Sequence, residues 1–480
     1  MPSPGLYSSL TVYHRSPNPV FIFLCHFQPG GIYPDNRIMN SKRSTGYVRL
    51  LKTNRPFRHL WYGQVVSELG DWLNSIAIYT LVLKLSGTGT AIASVMMAKL
   101  LPIFFVSPLA GVLIDRMDRK TIMVTSDVLR FVVVLGFLWV EDANDLWLLY
   151  TLAVVEIALA GFFEPARSAI IPSLTPREDL VTANALSGST WSVMLAVGAV
   201  LGGVLVSGFG IKTAFVIDAF TFLLSAWFIT RIQYPKEALE KEKADRSSES
   251  SGFKMLIDGM RYLISQPMIF VLALLKTGLA LAGGVMTLIP LYANKMFASA
   301  SAISLAIGVM YSARGLGAAL GPILVKKVFG DSTRVLQISI LLGFFLGALS
   351  YFLFAQSHSL WSASLSIALA TFFGSIIWVF SSALIHLEAD RRFLGRVFST
   401  EMALLTLVMG LSNWSTGFAM DSLELTAHQT ALWMAGLFAI PGVLWGGFLL
   451  FVNVRFKQGE CVGSVCPVEP SDSNVPPTSM

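Results

Sequence analysis

Charge is what this chain has least of. Asp, Glu, Lys and Arg make up only 13% of its 480 residues, against roughly 25% in a soluble globular chain. With 54% apolar residues and a mean hydropathy of +0.64, it lacks the polar groups to cover a surface facing water. Cysteine is almost absent. Cys25, Cys461 and Cys466 all fall in the tails, which leaves no disulfide framework and no thiolate metal site in the body. The six histidines, His14, His26, His59, His358, His386 and His428, stand in the tails or near the ends of apolar runs. The sequence has no GxxxxGK[ST], no HExxH and no Ser/His/acid grouping, so phosphate-loop, zinc-protease and triad chemistry are excluded. No enzyme, metal or cofactor is expected. An ATP-driven mechanism would need a nucleotide-binding partner chain.

What the chain does have is long apolar runs. Twelve occur, at 58–84, 90–114, 121–140, 146–168, 183–207, 211–231, 268–292, 302–325, 334–355, 359–384, 397–420 and 429–453. Each is close to the 20 or so residues a helix needs to cross a bilayer. They predict an all-α membrane protein of twelve transmembrane helices, spans 1 to 12. Gly recurs within them, as at Gly202-Gly203 and Gly315-Leu316-Gly317, and small residues let membrane helices approach closely.

Lys and Arg set the orientation. The segments flanking the twelve spans and the even-numbered loops hold, among others, Lys42, Arg43, Arg49, Arg116, Arg119, Lys120, Arg177, Lys241, Lys254, Lys326, Lys327, Arg391, Arg392 and Arg455. The opposite loops hold only Lys84, Lys212 and Lys295, and Glu141–Asp145 between spans 3 and 4 is purely acidic in its charges. The positive-inside rule puts both termini in the cytoplasm. The net charge of +6 is accounted for by this distribution, so no nucleic-acid partner is expected; the lipid bilayer is.

The chain repeats itself. Asn54-Arg55-Pro56-Phe57 precedes span 1 as Ser265-Gln266-Pro267-Met268 precedes span 7, and Gly321-Pro322-Ile323-Leu324 with Lys326-Lys327 echoes Gly111-Val112-Leu113-Ile114 with Arg116. This predicts two six-helix halves in a parallel 6+6 repeat. The expected layout is a cytoplasmic N-terminal segment over 1–57, disordered to about 38; a half over 58–231; a polar cytoplasmic linker over 232–267 with a surface helix; a second half over 268–453; and a disordered tail over 454–480. The first 38 residues are Pro-rich without a membrane-length run or a signal-peptide layout, and Met39-Asn40-Ser41-Lys42-Arg43 reads as an alternative start.

An ionisable group at mid-membrane costs roughly 2.5–3.5 kcal/mol on insertion scales, so it faces a cavity or a partner. Such groups are Glu68 and Asp71 in span 1, Lys99 in span 2, Asp127 and Arg130 in span 3, Glu156 in span 4, Asp218 in span 6, Lys276 in span 7, Arg314 in span 8 and Glu401 in span 11. Asp127 and Arg130 are three residues apart and can pair on one helix face.

The stretch Gly111–Lys120, GVLIDRMDRK, is a charge-dense hinge between two apolar runs and must lie at a bilayer surface. Its pattern, G-x-L-x-D-R-x-x-R-K, resembles the signature loop between spans 2 and 3 of the major facilitator superfamily, with Asp118 where that loop has Gly. Gly198-Ala199-Val200-Leu201-Gly202-Gly203 is similar to the superfamily's antiporter motif, with Ala199 in place of its Pro. Thr182-Ala183-Asn184-Ala185-Leu186, the Asp218–Ala226 stretch and Gly395-Arg396-Val397-Phe398-Ser399 extend the likeness over Asn54 to Arg455. Together they resemble the macrolide-efflux and enterobactin-exporter group of bacterial permeases.

That resemblance implies a secondary transporter of the bacterial cell (inner) membrane, acting as a monomer. It implies proton-coupled efflux of an amphipathic small molecule, such as a drug, siderophore or metabolite. Uptake, uniport or lipid flipping on the same fold are the alternatives, and a polytopic sensor or enzyme is the alternative of a different class. In the superfamily, spans 1, 4, 7 and 10 line a central cavity, so Asp71, Glu156 and Lys276 are expected to share it as proton or substrate residues, with Glu68 one turn from Asp71 and either of the two facing inward. A carboxylate beside a cation whose distance changes as the halves rock can load and release a proton; the same residues can equally form a static bridge. Trp72, Phe373 and Trp378 are candidate aromatic contacts. Lys99 and Arg314 fall on spans flanking the interface of the halves, for packing or for substrate contact. The loop residues Gly111, Asp115, Arg116, Arg119 and Lys120 are implied to gate, with Glu164 as the expected partner of Arg119.

Overall fold

The computed structural model describes residues 46–233, 260–330, 332–390 and 393–457; within these, the side chains of 107–108, 111–112, 114–116 and 453–457 lie outside the described set. The expectations for the first 38 residues, Met39, most of the linker with its surface helix, and most of the tail therefore fall outside the described residues. So do those for the side chains of Asp115 and Arg116, and for the surroundings of Gly111.

A short helix α1 (Tyr47–Thr53) precedes the first span. Spans 1 to 6 are α2 (Arg55–Leu85), α3 (Gly89–Arg116), α4 (Arg119–Gly136, ending in a 3-10 turn at Phe137–Trp139), α5 (Leu146–Leu174), α6 (Leu180–Phe209) and α7 (Ile211–Thr230). Span 7 is two helices, α8 (Pro267–Ala280) and α9 (Val285–Met296). Spans 8 to 12 are α10 (Ala300–Phe329), α11 (Thr333–Ala355), α12 (Leu360–Glu388), α13 (Leu394–Ser422) and α14 (Ala427–Lys457). Among the described residues, 11 stretches are long and apolar enough to cross a membrane. The twelfth span is α2, whose 31 residues reach about 46 Å at 1.5 Å per residue and carry Glu68 and Asp71 mid-length.

Local chemistry starts and stops these helices. Asn54 accepts from Phe57 N–H at 3.0 Å, with Pro56 in the first turn of α2. Thr88, Ser299, Ser332 and Ser359 cap α3, α10, α11 and α12 in the same way, each satisfying an N–H that the helix leaves free. Asp118, the departure from the signature loop, has this role too: its carboxylate accepts from Thr121 N–H at 2.9 Å and caps α4.

Span 7 breaks at 281–284, where the sequence predicts one continuous helix. The backbone groups freed there are taken up by α13. The Ser412 hydroxyl accepts from Gly284 N–H at 3.0 Å and donates to the Leu281 carbonyl at 2.6 Å. Thr287 Oγ1 donates to Asn413 at 3.0 Å. A Cβ on Gly284 would sit 1.9 Å from Thr416 Oγ1, so glycine is what lets α13 come this close.

The first six spans meet the last six mainly along two helix pairs, α6 with α10 and α3 with α13. Both contacts are built on glycine. A Cβ on Gly308 would lie 2.5 Å from the Ala199 carbonyl, and one on Gly417 would lie 2.6 Å from the Gly89 carbonyl. Gly203 against Ser304 and Asp421 at the start of α3 belong to the same zone, which is the face reached by the end of α2. Trp139, Trp147, Phe209, Trp361 and Trp433 stand exposed at helix ends on that same face, in the manner of an interfacial aromatic belt. Outside the core, exposed Phe105, Val132, Leu365 and Leu444 form an apolar exterior that suits lipid rather than water.

Candidate functional site

The N-terminal six spans enclose a charged cluster centred on Arg130. Its guanidinium bonds directly to Asp71 of α2, and lies 4.0 Å from both Asp127 of α4 and Glu156 of α5. It stacks on Phe222 of α7, with Cζ 3.9 Å from the ring centroid, a favourable arrangement for a desolvated cation. Asp218 of α7 is near enough to act on it electrostatically. Asp218 reaches this position because α7 packs tightly on Gly70 of α2, where a Cβ would lie 2.3 Å from its Oδ1. Arg130, Asp127, Glu156 and Asp218 are buried, whereas the Asp71 side chain is 37% exposed. Four carboxylates thus surround one guanidinium, and one of the four opens to the outside of the cluster.

Neutral polar groups complete the arrangement. Asn74 Nδ2 donates to Glu156 at 2.9 Å. Lys99 of α3 donates to Ser75 Oγ at 2.6 Å, and that hydroxyl donates to the Asp71 carbonyl at 2.7 Å. Lys99 is therefore drawn toward α2, with Nζ 5.8 Å from the ring of Tyr79.

Asp71 and Glu156, both expected in the cavity, do come together, but through Arg130. The Asp127–Arg130 contact exists at 4.0 Å and is secondary to the direct Asp71 bond. Glu68 lies apart: Gln64 donates to it at 2.7 Å and also to the Ser187 carbonyl of α6 at 2.8 Å. Lys276 does not join Asp71 and Glu156. Its Nζ lies 2.8 Å from Glu401 of α13, with both side chains buried, and over the rings of Trp378 and Phe398 at 4.9 and 5.3 Å. Arg314 is half-buried on α10, where its carbonyl accepts from Thr371 at 3.0 Å. Trp72 meets Tyr311 across the halves at 5.6 Å, and Tyr79 stacks on Tyr311 at 5.7 Å.

The loop after span 2 is anchored within the first six spans. Arg119 Nη1 donates to the Ala169 carbonyl of α5 at 2.9 Å. Lys120 donates to the Thr230 and Ile232 carbonyls at 2.8 and 2.9 Å, closing the end of α7 where a cation is favoured. The expected partner of Arg119, Glu164, pairs instead with Arg167 at 2.5 Å, three residues along its own helix; Arg167 bonds onward to Ser187.

Sequence reasoning placed Asp218 and Glu401 in the membrane without giving them partners. Each is completed by a residue at long sequence separation, Glu401 by Lys276 at 125 residues. Tyr79, Tyr311, Ser412 and Asp421 were not singled out. Of these, Asp421 carries the clearest signal: an acidic residue closing an apolar run.

The profile of the Major Facilitator Superfamily matches residues 60–412. The putative bacilysin exporter BacE of Bacillus amyloliquefaciens is 30% identical over 42% of this chain and 50% of its own length. Macrolide efflux protein A of Streptococcus pyogenes is 23% identical over 74% of this chain and 86% of that one. The chain spans about half the length of several curated relatives it matches, BacE among them. In fold, the chain is similar to the POT family transporter PepTSo, with a TM-score of 0.65, 12% identity, and coverage of 84% of this chain and 99% of that one. A match across most of the spans, on an all-helical membrane fold, makes this chain a multi-pass member of the Major Facilitator Superfamily of transporters.

Proposed function

We propose that this chain is a proton-driven exporter of an amphipathic small molecule, acting as a monomer in the bacterial inner membrane with both chain ends in the cytoplasm. The observation that carries the reading is Asp71. It stands mid-way along α2, is 37% exposed, and bonds to the buried Arg130. A carboxylate at that depth is unusual unless it serves a pathway.

Charge balance supports protons as the coupling ion. Asp71, Asp127, Glu156 and Asp218 face Arg130, with Lys99 the other cation acting on Glu156. Fully ionised, the four carboxylates exceed the two cations, and uncompensated buried charge is strongly unfavourable. Protons supply the balance, and Asp71 is the member within reach of solvent and substrate.

The exchange follows from rocking of the two six-helix halves. The contacts α6–α10 and α3–α13 close the face reached by the end of α2, which the Lys/Arg distribution assigns to the outside. In that state Asp71 opens toward the cytoplasm, where substrate enters as the proton leaves; in the opposite state a proton from outside displaces the substrate. Relatives named as exporters of bacilysin and of macrolides support the outward direction.

The test uses cells stripped of their own drug pumps. Expression should lower the steady accumulation of erythromycin or tetraphenylphosphonium severalfold, and a protonophore should abolish the difference. Accumulation raised by expression would mean uptake, and a difference untouched by the protonophore would remove proton coupling.

A further inference from the structure

We propose that Lys276 and Glu401 form a second proton-coupling site, held within the last six spans and separate from the Arg130 cluster; it rests on the transport reading above. Lys276 Nζ and Glu401 Oε2 are 2.8 Å apart, and their side chains are 3% and 0% exposed. The two ends of this pair are provided for unequally. The ammonium has other partners, the faces of Trp378 at 4.9 Å and Phe398 at 5.3 Å. The carboxylate does not: its second oxygen, Oε1, is buried without a hydrogen-bond partner.

Buried carboxylate oxygens are mostly hydrogen-bonded, and an unmet oxygen is a feature Glu401 shares with Asp127, Glu156 and Asp218 of the Arg130 cluster. Here the bare oxygen is where a proton can be added. Once Glu401 is neutral its hold on Lys276 weakens, and the ammonium stays seated on the two rings, which attract a desolvated cation. The pair therefore has two arrangements, and neither strands a charge. Among the described residues, the charged groups acting on Glu401 are Lys276 from α8 and His386 from α12. His386 is exposed, donates from Nδ1 to the Ser382 carbonyl at 2.8 Å, and packs on Phe398 at 4.8 Å.

The position of the pair links it to the closed face. Span 7 is interrupted at 281–284, about one turn past Lys276, so α8 can shift without α9 following as a rigid rod. Glu401 lies on α13, which takes up the break through Ser412 and then meets α3 at Gly417 and Asp421. Loading Glu401 thus acts on the helix that closes the far side of the transporter.

Infrared titration of the purified protein in nanodiscs tests this without a substrate. A component of the protonated-carboxyl C=O absorption should fade as pH rises in the native protein and in Asp71→Asn, and that component should be missing in Glu401→Gln. The neutral double variant Lys276→Met/Glu401→Gln, which removes both members of the pair, is measured alongside it and should lose the same component. A component of unchanged amplitude in both Glu401 variants, or none in the native protein, makes the pair a static bridge and overturns the proposal. In proteoliposomes with erythromycin, protons moved per drug should fall by about half in the double variant. If the native protein moves no protons with any compound, the transport reading fails, while the infrared band still decides whether Glu401 loads.

Discussion

Asp421, near the end of α13, accepts from the backbone N–H groups of Gly89 at 3.0 Å and Thr90 at 2.6 Å, at the start of α3. A carboxylate from one half of the transporter thus caps a helix of the other, using N–H groups that α3 cannot satisfy itself. Losing such a cap costs about 1 kcal/mol, about a fivefold change in an equilibrium between closed and open faces. Asp421→Ala should raise the open population of this face by that factor. Spin labels on the exposed Lys84 and Leu423 would read it as growth of a longer-distance component. An unchanged distribution would mean that the cap does not hold the face shut.

The halves come close by backbone where Gly308 meets Ala199. A Cβ there would be 2.5 Å from a carbonyl oxygen, so a side chain must push α6 and α10 apart. Gly308→Val should leave the protein folded and expose this seam. With Cys25, Cys461 and Cys466 replaced, a cysteine at the buried Ser304 should then react severalfold faster with a membrane-impermeant maleimide.

Four carboxylates act on the Arg130 guanidinium. Removing it leaves them without their main counter-charge, and breaking a buried pair costs about 3–5 kcal/mol. Arg130→Leu should sharply lower the melting temperature in detergent. Arg130→Lys should recover only part of the loss, because an ammonium lacks the planar fork that reaches Asp71, Asp127 and Glu156 together. Melting of Arg130→Leu at the native temperature would deny the cluster a structural role.

Glu164 and Arg167 form a partly exposed pair, and such pairs contribute up to about 1 kcal/mol. Glu164→Gln should change stability little. Exchanging Glu164 with Arg119 should rescue nothing that the single changes lose, since Arg119 is held by the Ala169 carbonyl.

The twelve spans and the paired halves were legible in hydropathy, in Lys and Arg placement, and in the Pro56/Pro267 repeat. Partnerships were not. Which groups meet depends on how each helix is rotated, and a continuous apolar run such as span 7 says little about rotation. Lys276 was expected beside Asp71 because both spans line a cavity in the superfamily; its partner is Glu401, on a span outside that list. The break in span 7 was hidden because Leu281-Ala282-Gly283-Gly284 is as apolar as a helix, and Ser412, which makes the break tolerable, lies 128 residues from Gly284. Asp118 looked like a departure from a motif and is a helix cap, a role that its spacing to Thr121 already encodes.

On the proposed reading, Asp71 exchanges protons for substrate. Everted vesicles carrying the protein, with an imposed proton gradient and a pH-sensitive dye, test it directly. Adding the transported compound should release protons in the native protein, and Asp71→Asn should abolish that release while the protein remains in the membrane at native abundance. Full gradient-driven proton release by Asp71→Asn would contradict the account.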